Sequence, residues 1–467
     1  MELNARNLSA LGIPVPAYDR DEISVGIVHF GVGGFHRSHQ AMYLDRLLAD
    51  GLAVDWGICG VGVLPEDRRM RDVLEAQDYL YTLILEHPDG TRRPRVIGSI
   101  VDFRYAPDDP EEVIELLATP AIRMISLTIT EGGYHPPLSD VFPLVTAALD
   151  RRRNRGLPSP TIVSCDNIAG NGRVARRAFT SCAERLDPAL AHWMGEHTAF
   201  PNSMVDRITP ATTPAAIELL RTEFGVDDAW PVVAEPFAMW VLEDDFADGR
   251  PPLERAGVRL VGDVSPYEAM KLRLLNAGHQ GLCYFGYLAG YRLVHEAAQD
   301  PVVAEFLHRY LEFEAMPTLT PVPGLAAFKD GLLPRFGNAY VRDTVARLCA
   351  DSSERITKWL LPVIADNLRS GGPVRLSAAI VASWARYAEG VDEDGRPIEV
   401  VDRLADTLVP LARSQRDDPA AFLANRAVFG DLVDQPRFLE PYLWALDSLR
   451  RRGARATLRA LVGSDEP

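Results

Sequence analysis

The stretch ISVGIVHFGVGGFHRSHQAMYLDRLLAD, residues 23–50, sets the reading of the whole chain. Its first part, ISVGIVHF, is short and β-branched and stops at a cluster of glycines. From His36 to Asp50 the apolar residues Met42, Leu44, Leu47 and Leu48 fall at helical spacing. Strand, glycine turn and helix form the context in which a Gly-rich turn carries chemistry. Gly31 permits a tight turn, while Gly33 and Gly34 let backbone amides approach a pyrophosphate on the helix N-terminus. His36 occupies the third glycine position of GxGxxG, so the segment also reads as a plain strand–helix turn.

Outward from this stretch, strand-like and helix-like segments alternate over roughly the first 265 residues. WGICGVG (56–62) reads as the next strand, and the charged segment EDRRMRDVLEAQ as the helix after it. YLYTLIL (79–85) and RVIGSIVDF (95–103) flank Pro88, Asp89 and Gly90, which predicts an inserted antiparallel hairpin. RMISLTIT (123–130) and PTIVSCDN (160–167) are further apolar runs. Runs buried on both faces and alternating with helices predict a parallel sheet in an α/β domain. After about Ser265 the texture changes. YEAMKLRLLNAGHQGLCYFGYLAGYRLVHEAAQ is one long helical pattern, with a break expected near Gly278, Gly281 or Gly290. PVVAEFLHRYLEFEAM, DTVARLCADSSERITKWLLPVIADNL, RLSAAIVASWARYAEG and AAFLANRAVFGDL also read as helices, with a Pro/Gly loop over residues 318–337. The expected domains are therefore 1–264, α/β, and 265–467, mostly α-helical.

Composition narrows the function. At 467 residues the chain is long enough for two or three domains of ordinary size. A net charge of −16 disfavours nucleic acid or an anionic membrane as partner, because both need basic patches. No basic segment followed by an apolar stretch opens the sequence, so no secretory leader is expected, and no run has the length of a membrane span. The five cysteines (Cys59, Cys165, Cys182, Cys283 and Cys349) are scattered with no CxxC pair, which predicts free thiols in a reducing, cytoplasmic setting. His36 and His39 lack a third ligand at recognisable spacing, and His295–Glu296 does not continue as HExxH, so no metal site is expected.

Two places carry further polar chemistry. Past the second strand, Glu66 and Asp67 stand where a carboxylate accepts from the adenosine ribose hydroxyls, which favours NAD over NADP; Arg68 and Arg69 would soften that preference. The same acids also suit a helix N-terminus. In SPYEAMKLRLLNAGHQG, Lys271, His279 and Asn276 fall at about 0°, 80° and 140° on an α-helical wheel, sharing one side with Leu272 and Leu275. A lysine in apolar company loses its charge more easily, as a general base near neutral pH requires. The alternative is a surface lysine and a core histidine. Asn167 and Asn171 supply amide donors at the carboxyl edge of the proposed sheet, either for a developing alkoxide or for an Asx turn.

Taken together, HFGVGGFHRSHQAMYLD, WGICGVGVLPEDRRMRD, QDYLYTL, SLTITEGGY, SCDNIAGNG, FPNSMVDRITP, DDAWPVVAEPFAMWVLED, PYEAMKLRLLNAGHQ and DTVARLCADSSERITKWLLP resemble the mannitol dehydrogenase family of long-chain polyol dehydrogenases. FPNSMVDRITP and WPVVAEPFAMWVLED are most similar to its mannitol 2-dehydrogenase branch. The resemblance implies a Rossmann-type NAD-binding domain, a helical second domain, and metal-independent hydride transfer between a polyol and a ketose, with D-mannitol and D-fructose the first expectation. Fructuronate reduction, or oxidation of D-arabinitol or D-sorbitol, is the alternative, and a non-catalytic NAD-binding sensor a remote one. It further implies Lys271 as general acid/base, Asn167 and Asn276 as donors to the substrate oxygen, His279 as an orienting residue and Glu268 as a proton relay. Asp206, Lys358 and, less closely, Arg355 match positions that contact sugar hydroxyls, and Asn171 joins them as a substrate-side amide. Around the cofactor the implied residues are Gly31, Val32, Gly33, Gly34, Phe35, His36, Arg37, Glu66 and Asp67, with Thr130, Glu131 and Gly132 lining the nicotinamide side. Departures lie in IAG within SCDNIAGNG, in Ala277–Gly278 where the family has a Gly–Ser pair, and in GNAYVRDTV, which lacks a proline. They bear on polyol preference rather than on activity. A monomer or weak homo-oligomer is expected.

Overall fold

The computed structural model describes residues 1–463. Backbone packing divides the chain into two compact units, Met1–Ser265 and the residues from Pro266 onward.

The first unit holds strands β1 (Val25–Phe30), β2 (Gly57–Gly62), β3 (Tyr81–Glu86), β4 (Arg92–Ile97), β5 (Ile100–Tyr105), β6 (Met124–Leu127), β7 (Thr161–Ser164), β8 (Ser203–Asp206), β9 (Val232–Ala234), β10 (Met239–Glu243) and β11 (Arg259–Val261). Five form a parallel sheet in the order β5-β2-β1-β6-β7. Every residue of β2, β6 and β7 is buried, which is why these segments read as mainly apolar runs. Alternate residues feed two cores: Ile27, Ile58, Met124 and Val163 pack with Leu44, Leu47 and Leu74, whereas Val28, Val61, Ile125 and Ile162 pack with Phe142, Leu149 and Phe179. The chain walks outward from β1 to β2 and β5, then returns to β6 and β7 on the other side. The carboxyl ends of β1 and β6 therefore flank a topological switch point, where open α/β sheets bind ligands.

Two smaller sheets complete this unit. β3 and β4 form the expected antiparallel hairpin, with β9 added parallel to β3; β8 and β10 are antiparallel, with β11 parallel to β10. RVIGSIVDF is two strands rather than one. Its chain turns at Gly98, so β4 closes the hairpin and β5 joins the main sheet beside β2. The corner is fixed by the Gly98 amide donating to Asp45 at 2.9 Å and the Ser99 hydroxyl donating to the Ala41 carbonyl at 2.7 Å. The helix read over residues 36–50 is also divided, into Gly34–Ser38 and Gln40–Ala49. His39 sits at the break with φ −120° and ψ −89°, its Nε2 donating to the Met239 carbonyl at 2.9 Å.

The second unit is helical, and among the described residues its only strand-like pairs are isolated bridges. The long pattern from Tyr267 breaks where Gly290 takes φ +95°, whereas Gly278 and Gly281 lie inside the helix Ala277–Leu288. The Pro/Gly loop expected over 318–337 contains a helix, Leu325–Phe336. Its buried stripe of Leu325, Phe328, Leu332 and Phe336 has helical spacing that Pro334 and the flanking glycines disguise. Conversely, AAFLAN is a set of turns, and only Arg426–Phe429 of that segment is α-helical. Helix Arg375–Tyr387 runs through the core with Trp384 fully buried. Among the described residues no helix is long and apolar enough to cross a membrane.

Candidate active site

At the switch point Gly31 leaves β1 with φ +89°, and a Cβ there would lie 2.1 Å from the Thr128 carbonyl oxygen past β6. Only glycine fits. The Thr128 hydroxyl donates to the Gly31 carbonyl at 2.7 Å, locking the two loops together. Gly33 differs: a Cβ there would meet nothing closer than the Gly31 oxygen at 3.9 Å, so the turn is open above it. Helix Gly34–Ser38 begins behind Gly33 with no side-chain cap. A glycine turn open on one side, ending in uncapped helix amides, fits an anionic pyrophosphate.

The cofactor candidates next to it contribute unequally. Val32 is buried, and Phe35 stacks on His39 with ring centroids 4.9 Å apart. His36 is fully buried and stacks on His29 at 3.4 Å between centroids. Neither ring nitrogen of His36 has a partner, and burial holds its pKa well below the ordinary histidine value. It is a neutral filler under the turn. Arg37 is also fully buried; its Nη1 donates to the Trp230 carbonyl and its guanidinium lies 5.2 Å from the centre of the Tyr81 ring. Both residues therefore offer the turn their backbone, not a charge.

Of the two acids past β2, Asp67 accepts the amides of Val63 and Leu64, each at 2.9 Å, and so holds the turn. Glu66 is exposed. The arginines expected to soften the NAD preference are engaged elsewhere: Arg68 pairs with Asp108 and lies 4.6 Å over Tyr105, and Arg69 lies 4.7 Å over Trp230.

Past β6, Thr130, Glu131 and Gly132 are exposed, and Thr130 takes φ +64°, a left-handed backbone unusual for a β-branched residue. What holds it is Asp166, a residue sequence reasoning passed over in favour of its neighbour. Asp166 Oδ1 accepts the Thr130 amide at 2.7 Å and Oδ2 accepts the Tyr134 hydroxyl at 2.7 Å, while burial raises the pKa of its carboxyl. Asn167, the next residue, is exposed in the bend after β7. Asn171 is different. It is fully buried, donates to the Asp166 and Ser203 carbonyls and accepts the Gly172 and Ser203 amides, so its amide is committed to the framework rather than to a substrate. Asp206 ends β8 and is buried.

In the second unit, the wheel drawn from the sequence is altered by a turn of π-helix, Lys271–Asn276, between helices Ser265–Met270 and Ala277–Leu288. The Ala277 amide reaches back to the Leu272 carbonyl, five residues away. Such a turn is wider than an α-turn, so residues five apart come closer to alignment, and Lys271 and Asn276 are drawn together relative to α-helical spacing. Lys271, Glu268 and His279 are half-buried. Asn276 is buried, and its Oδ1 has no hydrogen-bond partner, a cost that packing alone does not explain. The His279 ring lies 4.2 Å from that of Phe336, which the unexpected helix Leu325–Phe336 supplies. The helix Ser352–Trp359 also packs against the π-turn. On it, Lys358 pairs with Glu354, and Arg355 donates to the Arg347 and Leu348 carbonyls at 2.9 and 3.0 Å, which ties Arg355 into the framework. Among the described residues, no group of three His, Cys, Asp or Glu side chains is arranged to hold a metal ion.

A glycine turn of this kind at a switch point belongs to a dinucleotide-binding domain of the Rossmann type. Residues 25–255 match the mannitol dehydrogenase Rossmann domain, and residues 263–450 the mannitol dehydrogenase C-terminal domain. The chain belongs to the mannitol dehydrogenase family and is a polyol dehydrogenase. Mannitol 2-dehydrogenase of Phaeosphaeria nodorum is 42% identical over 98% of this chain and 85% of its own length. That of Pyricularia oryzae is 39% identical over 99% of each. Among solved structures, Pseudomonas fluorescens mannitol 2-dehydrogenase in ternary complex with NAD and D-mannitol is 41% identical over the full length of both chains, with a TM-score of 0.85. A substrate-free D-sorbitol dehydrogenase is 37% identical over 98% of this chain and all of its own, with a TM-score of 0.93.

Proposed function

We propose that this chain is an NAD-dependent mannitol 2-dehydrogenase that interconverts D-mannitol and D-fructose, with Lys271 as general acid/base and no metal ion in the chemistry. The observation that carries the reading is the π-turn, which draws Lys271 and the buried Asn276 toward one side of the same turn. Full-length similarity to the mannitol 2-dehydrogenase solved with NAD and D-mannitol supports the choice of substrate and cofactor. The open turn at Gly33 supports pyrophosphate binding, and the exposed Glu66 supports NAD, since a carboxylate there repels a 2′-phosphate.

NAD⁺, when bound, supplies the acceptor for the hydride leaving C2 of the polyol. Neutral Lys271 accepts the proton of the C2 hydroxyl, and Asn276 and Asn167 are the proposed donors to the developing alkoxide. Each such donor is worth roughly 3–4 kcal/mol in comparable oxyanion sites. His279, held against Phe336, orients the substrate, and Glu268 relays the proton from Lys271 toward water. In ketose reduction the same lysine works protonated.

Full-length similarity to a D-sorbitol dehydrogenase supports D-sorbitol as a second reading. A panel of D-mannitol, D-sorbitol and D-arabinitol with NAD⁺ and NADP⁺, and of D-fructose and fructuronate with NADH, all with EDTA, decides. D-Mannitol with NAD⁺ should give the highest kcat/KM, unaffected by EDTA. Oxidation should gain rate and reduction lose it as pH rises; an oxidation rate flat from pH 6 to 10 with chemistry rate-limiting would overturn the lysine base.

A further inference from the structure

The π-turn leaves one backbone group displaced. In an unbroken α-helix the Arg273 carbonyl would accept the Ala277 amide, but that amide is divided between the Leu272 and Leu274 carbonyls. The bypassed oxygen is taken by a side chain from another element: the Tyr310 hydroxyl donates to it at 3.1 Å. Tyr310 is fully buried and opens a second π-turn, Tyr310–Ala315, that packs against the first. This second turn is itself fixed. Glu314 within it accepts the Leu376 and Ser377 amides at 2.6 and 2.7 Å at the start of helix Arg375–Tyr387. On the other side of the first turn, Arg273 Nη1 donates to the Thr318 carbonyl at 2.9 Å and to Asp366 at 2.6 Å.

We propose that Tyr310 is a positioning residue for the reaction: its phenol captures the carbonyl that the π-turn releases, and so holds Lys271 and Asn276 in their shared orientation. A buried carbonyl left without a donor is costly, and an α-helical register would recover its bond to Ala277. That register returns Lys271 and Asn276 to about 140° apart on the helix. Tyr310 therefore selects the working register against the ordinary one. Burial raises the pKa of its phenol well above the usual tyrosine value, so it remains a donor throughout the working pH range. Two π-turns that support each other explain why a wide, otherwise unfavourable turn persists where an α-helix would pass through.

The inference rests on Lys271 being the acid/base, so the experiment pairs Tyr310→Phe with Lys271→Ala. Tyr310→Phe removes one oxygen and keeps the ring. Expected are a fall in kcat for D-mannitol oxidation of tenfold or more, an acid limb of the pH profile displaced from that of wild type, and an NADH dissociation constant within twofold of wild type. Lys271→Ala should remove most turnover and leave NADH binding intact. If Lys271→Ala keeps wild-type turnover, the reading of Lys271 fails, and the role of Tyr310 with it. If Lys271→Ala is inactive while Tyr310→Phe shows wild-type kcat, or a lower kcat with an unmoved pH profile, the inference alone is overturned. Should Tyr310→Phe fail to fold, Asp366→Asn, which loosens the Arg273 anchor from the half-exposed side, carries the test. The same displacement of the profile to a smaller extent supports the proposal, and an unmoved profile overturns it.

Discussion

Two alanines, one at Gly31 and one at Gly33, should separate what the glycine turn does for the fold from what it does for the cofactor. At Gly31 the added Cβ would lie 2.1 Å from a backbone oxygen, and the residue holds φ +89°. A left-handed backbone costs a non-glycine residue roughly 1–2 kcal/mol. Forcing an extra carbon into a filled space costs about 1–3 kcal/mol more. Gly31→Ala should thus lose roughly 2–5 kcal/mol, a large part of a typical protein's stability. At Gly33 the backbone is extended, with φ −89° and ψ −173°, which alanine adopts freely, and the nearest atom to a Cβ is 3.9 Å away. Gly33→Ala should therefore melt with wild type, within about 0.5 kcal/mol. Its methyl would nonetheless stand where a phosphate oxygen approaches the helix amides. Losing one charge-assisted hydrogen bond there costs about 1.5–3 kcal/mol, and every 1.4 kcal/mol is about tenfold in affinity. The NADH dissociation constant, titrated by nicotinamide fluorescence, should rise by roughly ten- to a hundredfold. Thermal unfolding on the same samples reports stability. A Gly33→Ala protein that binds NADH as wild type does would refute the turn as the pyrophosphate cradle.

Asn276→Ala should trade activity for stability. The buried Oδ1 already lacks a partner, so its removal should leave the thermal midpoint unchanged or higher, while D-mannitol oxidation falls by about 10²–10³-fold; a variant that loses stability and activity in proportion would contradict this. Glu314 makes the second unit sensitive to pH, because burial pushes its pKa from the ordinary 4.5 up to about 7. A carboxyl whose folded pKa is the higher one stabilises the fold while protonated, and that contribution disappears as pH climbs through about 7. Between pH 5.5 and 8 the stability advantage of wild type over Glu314→Gln should shrink by roughly 2 kcal/mol in denaturant unfolding, and a constant advantage would exclude Glu314 as the source.

The sheet was legible because burial on both faces writes itself into composition. β2, β6 and β7 are buried throughout, and the glycine cluster after β1 marks where the chain must turn sharply. The hairpin could be read from its turn residues, yet the split of RVIGSIVDF could not. Gly98 resembles any glycine within a strand until the Asp45 carboxylate that anchors it is known, and Asp45 is distant in sequence. Helix Leu325–Phe336 was concealed by Pro334, which stops most helices but is accommodated in the last turn of this one. The lysine, asparagine and histidine of the second unit stood out as polar groups on an apolar pattern. The angles between them did not, because a wheel at 100° per residue assumes hydrogen bonds four residues apart. A π-turn has no composition of its own.

The local features that the sequence did not disclose have one cause in common. Thr130 in a left-handed backbone, Asn276 with a buried unpaired oxygen, and the displaced Arg273 carbonyl each violate a local rule, and each is stabilised by a residue remote in sequence or left uncompensated. Asp166 holds the first from 36 positions away and Tyr310 the third from 37. Local propensity cannot foresee an exception whose support is supplied by tertiary structure. Such exceptions persist where the geometry they enforce is used, and here they lie on the loop past β6 and in the turn between Lys271 and Asn276. The candidate catalytic residues were therefore recognisable by type from the chain alone, whereas the residues that position them required the fold. Aromatic and acidic side chains that look like ordinary core or capping groups, as Tyr310 and Asp166 do, are the class in which further positioning residues of this chain should be sought by mutation.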